Sequence, residues 1–278
     1  MESLAAAIVA EASLARDVPA TYKYAFGSLG VFALLEICVN SLLRLRFPKL
    51  THRSLVIIRG CLVSCAHDLW AIVAVILLAR YTTQPAASPP AAGPLGLALL
   101  AHVPFAVMDK IGGILLGYLL WDLQHYVAHS TTYSRTLVEQ VVHHACFMLM
   151  IWLNWDTLWF NYAFAPMYIG ELSTLFLNVR MVHREFDRTE SWASAAFAVT
   201  FIATRVVIFG ALVGHLLLNQ RAARQLLSPP LQLSYLVLVP AMWALNLFWS
   251  TKVIAAVRKR TARPRGTANS KCLNGKGQ

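Results

Sequence analysis

Seven apolar stretches dominate the chain, at roughly 24–43, 55–79, 111–128, 138–154, 157–179, 191–216 and 231–256. A helix rises 1.5 Å per residue, so about 20 residues cross the hydrocarbon core of a bilayer. The third and fourth stretches are short for a crossing. Only 13% of the residues are charged and 58% are hydrophobic, against about 25% charged in an ordinary soluble domain. The pattern predicts an all-α fold, a polytopic transmembrane helix bundle of about seven spans. No internal repeat is visible, and one membrane domain, residues 24–256, accounts for nearly the whole chain.

Basic residues give the bundle a direction. Arg44, Arg46, Lys49 and Arg53 follow the first stretch, and Arg135 lies between the third and fourth. Arg180, Arg184 and Arg188 follow the fifth; Arg258, Lys259, Arg260, Arg263 and Arg265 follow the seventh. With seven spans all of these fall on one side, which the positive-inside rule makes cytosolic. The N-terminus is then lumenal or external and the C-terminus cytosolic. Residues 1–23 read as a lumenal segment: LAAAIVA follows Glu2 with no basic n-region, so it is not a cleavable signal. Residues 257–278 read as a basic, disordered cytosolic tail. The apolar segment 95–108 is only about 14 residues long and suits an interfacial or re-entrant piece. The net charge of +11 is assigned to loops facing anionic lipid, not to nucleic acid. Five cysteines form no disulfide pattern.

Ionisable residues inside apolar spans cost a few kcal/mol each on insertion scales, and they face the bundle interior. Asp122 lies about 9 Å from the cytosolic end of its span, His143 and His144 at about 8–9 Å, and Glu171 roughly 12 Å deep. An acid, two imidazoles and a second acid therefore share one level. Arg205 sits near mid-membrane and cannot shed its proton, so it must find an acceptor. Glu171 is the nearest acid by depth. Asp122, His125 and His129 form one stripe at i, i+3 and i+7; Glu171, Thr174 and Asn178 form another. The expectation is one polar pocket enclosed by the third to sixth spans and reached from the cytosolic half. Polar intramembrane groups also hydrogen-bond helices together, and that reading of the same residues stands beside it. Glu36, Arg59 and Asp68 are read as a separate structural set whose charges neutralise one another. Trp152, Trp155 and Trp159 suit a headgroup belt at the external turn.

The ordered motifs resemble a known family. They are GYLLWDLQHYV (117–127), VVHHACF (141–147), GELSTLFLNVRM (170–181), TRVVIFG (204–210) and ALNLFWSTKVI (244–254). Together they resemble the TLC domain, shared by translocation-associated membrane proteins, ceramide synthases and the neuronal ceroid lipofuscinosis type 8 protein. The likeness runs over about 140 residues, or about 200 with the first two spans. In ceramide synthases the His-His pair is assigned to catalysis, and His143-His144 match it. Their His-Asp-x-x-Asp run reads Gly170-Glu171-Leu172-Ser173-Thr174 here, so one acid is kept and the second is Thr174. The chain is therefore nearer to the small TLC domain-containing proteins than to ceramide synthases.

The resemblance implies an endoplasmic-reticulum or other endomembrane protein acting in lipid composition, sensing or transfer. Its partners would be membrane lipids, including sphingoid or acyl-chain lipids. Asp122, His125, Asn178, Arg180 and Arg205 would form the lipid-facing polar core. The alternative is an acyltransferase using acyl-CoA. There His143 or His144 would be the base, Glu171 would orient it, and Arg180, Arg184 and Arg188 would suit the CoA phosphates. A di-iron hydroxylase is the weaker alternative. His125-x-x-x-His129 fits its first box and Gln140-Val-Val-His143-His144 fits part of the second, but no third box exists. No metal and no cofactor are expected.

Overall fold

The structure, a computed structural model, describes residues 18–82, 105–134, 136–154, 167–186, 191–218, 220–221, 224 and 228–261. Most of the N-terminal segment and of the tail, residues 95–104, Arg135, Trp155, Trp159 and Arg188 lie outside the described residues.

Among the described residues every regular element is helical. In chain order these are α1 (Val18–Arg46), α2 (His52–Thr82), α3 (Phe105–Ala128), the short α4 (Ser130–Tyr133), α5 (Leu137–Asn154) and α6 (Glu171–Glu185). Then α7 (Ser191–Phe201), a π-helical turn π1 (Ile202–Ile208) and α8 (Phe209–Leu218) run on as one rod. The last rod joins α9 (Pro229–Leu233), π2 (Ser234–Leu238) and α10 (Val239–Thr261). Four helices are long and apolar enough to cross a membrane: Tyr22–Arg46, His52–Leu78, Trp192–Leu218 and Pro229–Lys259. Leu137–Leu153 is a shorter apolar helix. The α3 helix spans 24 residues and interrupts its apolar run with Asp122, Gln124 and His125. It starts at Phe105, so the end of the 95–108 segment is the first turn of α3.

Outward faces are apolar. Phe26, Val31, Leu34, Ile37 and Leu42 on α1 are all exposed. Such a surface is stable against hydrocarbon and is a liability in water.

Inward packing follows small residues and aromatics. α1 lies along α3, and α2 packs on α6. A Cβ at Gly117 would overlap Ser28 and the Ala25 carbonyl, so glycine lets α3 approach the α1 backbone. Phe32 then meets Tyr118 edge-on at 5.6 Å, within a core that includes Trp121, Leu115 and Ile151. A second core joins Met150 of α5 to Phe209 and Leu212 of α8, Tyr235 of π2 and Met242 of α10.

One end of the bundle is closed by Leu43, Leu55 and Ile58 with Val182 and Phe186. Phe47 and Phe186 rings lie 5.2 Å apart there. The end of α1, with Arg44 and Arg46, thus meets the end of α6, with Arg184. Arg184 in turn shares a cavity wall with Ala256 and Val257, beside Arg258. Three of the basic clusters named from sequence therefore gather at one end.

Candidate functional site

A cavity of about 620 Å³ lies inside this bundle. The third to sixth spans were expected to enclose it. They do contribute, but α2 and α10 complete the wall through Gly60, Cys61 and Ser64, and through Trp249, Lys252 and Val253. The residues assigned from sequence to the catalytic set and the polar core line it: Asp122, His125, His143, His144, Glu171, Asn178, Arg180 and Arg205. Leu119, Leu177, Phe197, Ala198 and Phe201 supply apolar wall.

His144 is held at both ring nitrogens. Nδ1 lies 2.7 Å from the Gln140 carbonyl and Nε2 lies 2.8 Å from Asp122 Oδ2. A carbonyl only accepts, so Nδ1 carries a proton. A second proton must then lie between Nε2 and the Asp122 carboxyl, on one or the other. His144 and Asp122 together hold that proton as a buried pair. Asp122, rather than Glu171, is the acid that orients this imidazole.

His143 is different. Its ring packs against Phe147 at 4.8 Å and Trp249 at 5.2 Å, and its buried Nδ1 has no hydrogen-bond partner. The two rings stand nearly perpendicular, 5.5 Å apart. Adjacent helical positions differ by about 100° in direction, yet both side chains line the cavity, His144 against Asp122 and His143 against Trp249.

Arg205 sits in π1. A π-turn shifts the backbone register and is found often at functional sites. Here the Val206 carbonyl is taken by Trp243 Nε1 at 3.0 Å. The guanidinium faces the start of α6. Nε donates to the Gly170 carbonyl at 3.2 Å and to Ser173 Oγ at 2.9 Å. Nη2 donates to Glu171 Oε1 at 3.2 Å and to Thr174 Oγ1 at 2.7 Å. The predicted partner is the observed one.

His125 reaches a second network besides the cavity. Its Nδ1 lies 3.0 Å from Glu36 Oε1 and its Nε2 lies 3.4 Å from the Tyr133 hydroxyl. A Cβ at Gly60 would come within 2.7 Å of that Nε2, so glycine makes room for the ring. Glu36 also takes Trp121 Nε1 at 2.9 Å, and Arg59 Nε approaches it at 2.9 Å, too obliquely for a hydrogen bond. Arg59 bonds Asn40 Oδ1 at 3.3 Å and His129 Nε2 at 2.7 Å. His129 follows the end of α3, and burial holds its pKa below the ordinary value, with the nearby His125 and Arg59 charges adding to the shift.

Asp68 does not join Glu36 and Arg59. Arg59 and Asp68 are nine residues apart in α2, which turns them about 180° from one another. Asp68 instead accepts from Asn178 Nδ2 at 3.0 Å. His67, Asp68 and Glu171 bring their ligand atoms within 4.8 Å of one another, as do Glu36, His125 and His129.

At the basic end Glu139 links α5 to α10. Its carboxylate accepts from Trp249 Nε1 at 2.7 Å and from Lys252 Nζ at 2.6 Å. Sequence reasoning passed over Glu139 because it opens a helix and reads as a solvated residue.

The family model described as the TLC domain matches residues 57–255. No curated protein and no solved structure matches the chain.

Proposed function

The chain belongs to the TLC domain family, and on that premise we propose that it is a multi-pass endomembrane protein of lipid homeostasis that holds a lipid in its central cavity. One observation carries this reading: the cavity pairs a wall of Leu119, Leu177, Phe197, Ala198 and Phe201 with a polar group built from His143, His144 and Asp122. The apolar wall suits an acyl chain, and the imidazole level suits a headgroup or an amide. Arg180, Arg184 and Lys252 line the same cavity and suit an anionic group. In this reading seven spans place the basic end in the cytosol, with the N-terminus lumenal, as the clustering of Arg and Lys supports. The endoplasmic reticulum is the expected membrane. The small TLC domain-containing proteins are the expected relatives, because Gly170 and Thr174 stand where ceramide synthases carry His and Asp.

A second reading, an acyl-CoA-dependent acyltransferase, draws on the unpartnered Nδ1 of His143 beside the proton-bearing His144–Asp122 pair. His143 would take the proton of the attacking amine, and His144 would donate toward the developing oxyanion. As the new C–N bond forms the thioester C–S bond would break, with the proton on His143 passing to the departing CoA thiolate. The test is mass spectrometry of lipids retained by purified protein, together with acylation assays on the same sample. Retained lipid without acyl transfer supports the first reading; turnover supports the second. An absence of both overturns the proposal.

A further inference from the structure

Two clusters of possible ligand atoms lie outside the proton-sharing His144–Asp122 pair, and they differ in one respect. In the Glu36, His125 and His129 cluster the ligand atoms are already engaged by Arg59, Trp121 and Tyr133. The His67, Asp68 and Glu171 cluster keeps two ligand atoms that no hydrogen bond engages. His67 and Asp68 are fully buried, and His67 stacks flat on Tyr118 at 3.6 Å. The Tyr168 hydroxyl lies 3.2 Å from His67 Nε2, so it can take the Nε2 proton and leave a lone pair on Nδ1. Asn178 engages Asp68 Oδ2, and Arg205 engages Glu171 Oε1. What remains is His67 Nδ1 and Asp68 Oδ1, both buried and both without a hydrogen-bond partner.

We propose that His67, Asp68 and Glu171 hold a divalent first-row metal ion, of the zinc or manganese class, behind the cavity wall at Glu171. Metal-binding imidazoles are commonly fixed through their other ring nitrogen, and ligating carboxylates through their other oxygen. That is the arrangement of Tyr168, Asn178 and Arg205 around this cluster. His67 Nδ1 and Asp68 Oδ1 stand 3.8 Å apart, too far for a hydrogen bond. Ligand atoms each about 2.1 Å from one ion lie roughly 3–3.6 Å apart, so His67 and Asp68 need only a few tenths of an ångström of closure, and Glu171, within 4.8 Å of both, closes by a side-chain adjustment of about an ångström. Charge points the same way. Two carboxylates face one guanidinium, which leaves a buried negative charge that a cation would offset. One nitrogen and two carboxylates suit zinc or manganese better than a soft ion. Glu171 belongs to the cavity wall, so the ion is reached from the cavity. The proposal departs from the sequence expectation of no metal.

The test uses full-length protein purified in detergent, stripped with a chelator and titrated with zinc, manganese or cobalt(II) chloride. The expected result is uptake of one ion per chain, with a visible cobalt absorption band that His67→Gln abolishes. Tyr168→Phe removes only the hydroxyl behind His67 and should weaken binding by about 10–100-fold. Asp68→Asn keeps the shape and should lose binding. His129→Gln, in the other cluster, should bind as wild type. Wild-type protein that takes up none of the three ions overturns the proposal, and means that a proton alone balances the carboxylates. Loss in His129→Gln with retention in Tyr168→Phe also overturns it. Should Asp68→Asn fail to fold, the wild-type titration and Tyr168→Phe decide the matter.

Discussion

Arg205 Nη2 donates to Glu171 Oε1 at 3.2 Å, which ties the π-turn of one rod to the first turn of α6. Both side chains are largely buried, at 10% and 15% exposure. Removing one partner of such a pair strands a charge and costs about 3–5 kcal/mol. Glu171→Ala should therefore melt well below wild type in detergent. Arg205→Met combined with Glu171→Leu removes both members of the pair, leaving Asp68 to Asn178, and should melt above Glu171→Ala. A double variant that melts no better than the worse single variant would show that the contact is not a stabilising pair.

Gly117 and Gly30 make a matched comparison. A Cβ at position 117 would run into the α1 backbone, whereas nothing lies within 4 Å of one at Gly30. Overpacking of a tight contact costs about 1–3 kcal/mol, while alanine is the better helix former. Gly117→Ala should lower the melting temperature and Gly30→Ala should hold or raise it. Equal effects would remove the reason given for the close approach of α1 and α3.

The loop residue His129 gives a pH dependence. Its Nε2 accepts from Arg59 at 2.7 Å, which requires a lone pair there, and burial, then the His125 and Arg59 charges, disfavour the imidazolium. Glu36 opposes this, and His52 adds to it. A lowered folded value means that the neutral form is favoured by folding. That contribution is full above the ordinary histidine value of 6.5 and is lost as pH falls below it. Melting temperature should fall between about pH 7 and pH 5, and His129→Gln should flatten the slope. An unchanged slope in the variant would assign the effect elsewhere.

How far the sequence was legible depended on the physics at each residue. The apolar runs of α1, α2 and the two long C-terminal rods were plain because hydrocarbon demands continuity. The Arg205–Glu171 contact was legible because arginine cannot lose its charge and Glu171 was the nearest acid by depth. The choice of Asp122 for His144 was not, since it depends on how α3 turns about its axis. That turn is set by contacts such as Gly117 against α1, which no spacing rule encodes. The grouping of Asp68 with Glu36 and Arg59 failed for the same reason: proximity along one helix says nothing when two residues face opposite ways. Asp68 found Asn178, 110 residues away.

The proton between His144 and Asp122 can be observed. With Nδ1 given to the Gln140 carbonyl, the pair holds a second proton that a neutral amide cannot share. Labelled-histidine nitrogen spectra of wild type at neutral pH should show His144 as an imidazolium or in a short shared hydrogen bond. In Asp122→Asn the same ring should be neutral, protonated at Nδ1 alone. An unaltered signal in the variant would mean that Asp122 does not hold the proton.

Occupancy of the cavity is the remaining expectation. Ala198 lines the wall, is half-buried, and stands on α7, a different helix from His144 and Asp122. A tryptophan there adds a large ring to a space of about 620 Å³. If the cavity holds an acyl chain, Ala198→Trp should displace it while the ring takes over the buried contacts. Lipid retained after purification should then fall several-fold, with a melting temperature near that of wild type. His143→Ala leaves the apolar wall intact, so it should keep the chain but fail to restore the lipid profile of a null strain. The two defects are separable because one variant blocks the volume and the other removes a single imidazole. If Ala198→Trp retains as much lipid as wild type, the lipid is bound on the outer surface, where α1 exposes Phe26, Leu34 and Leu42, and the cavity reading fails.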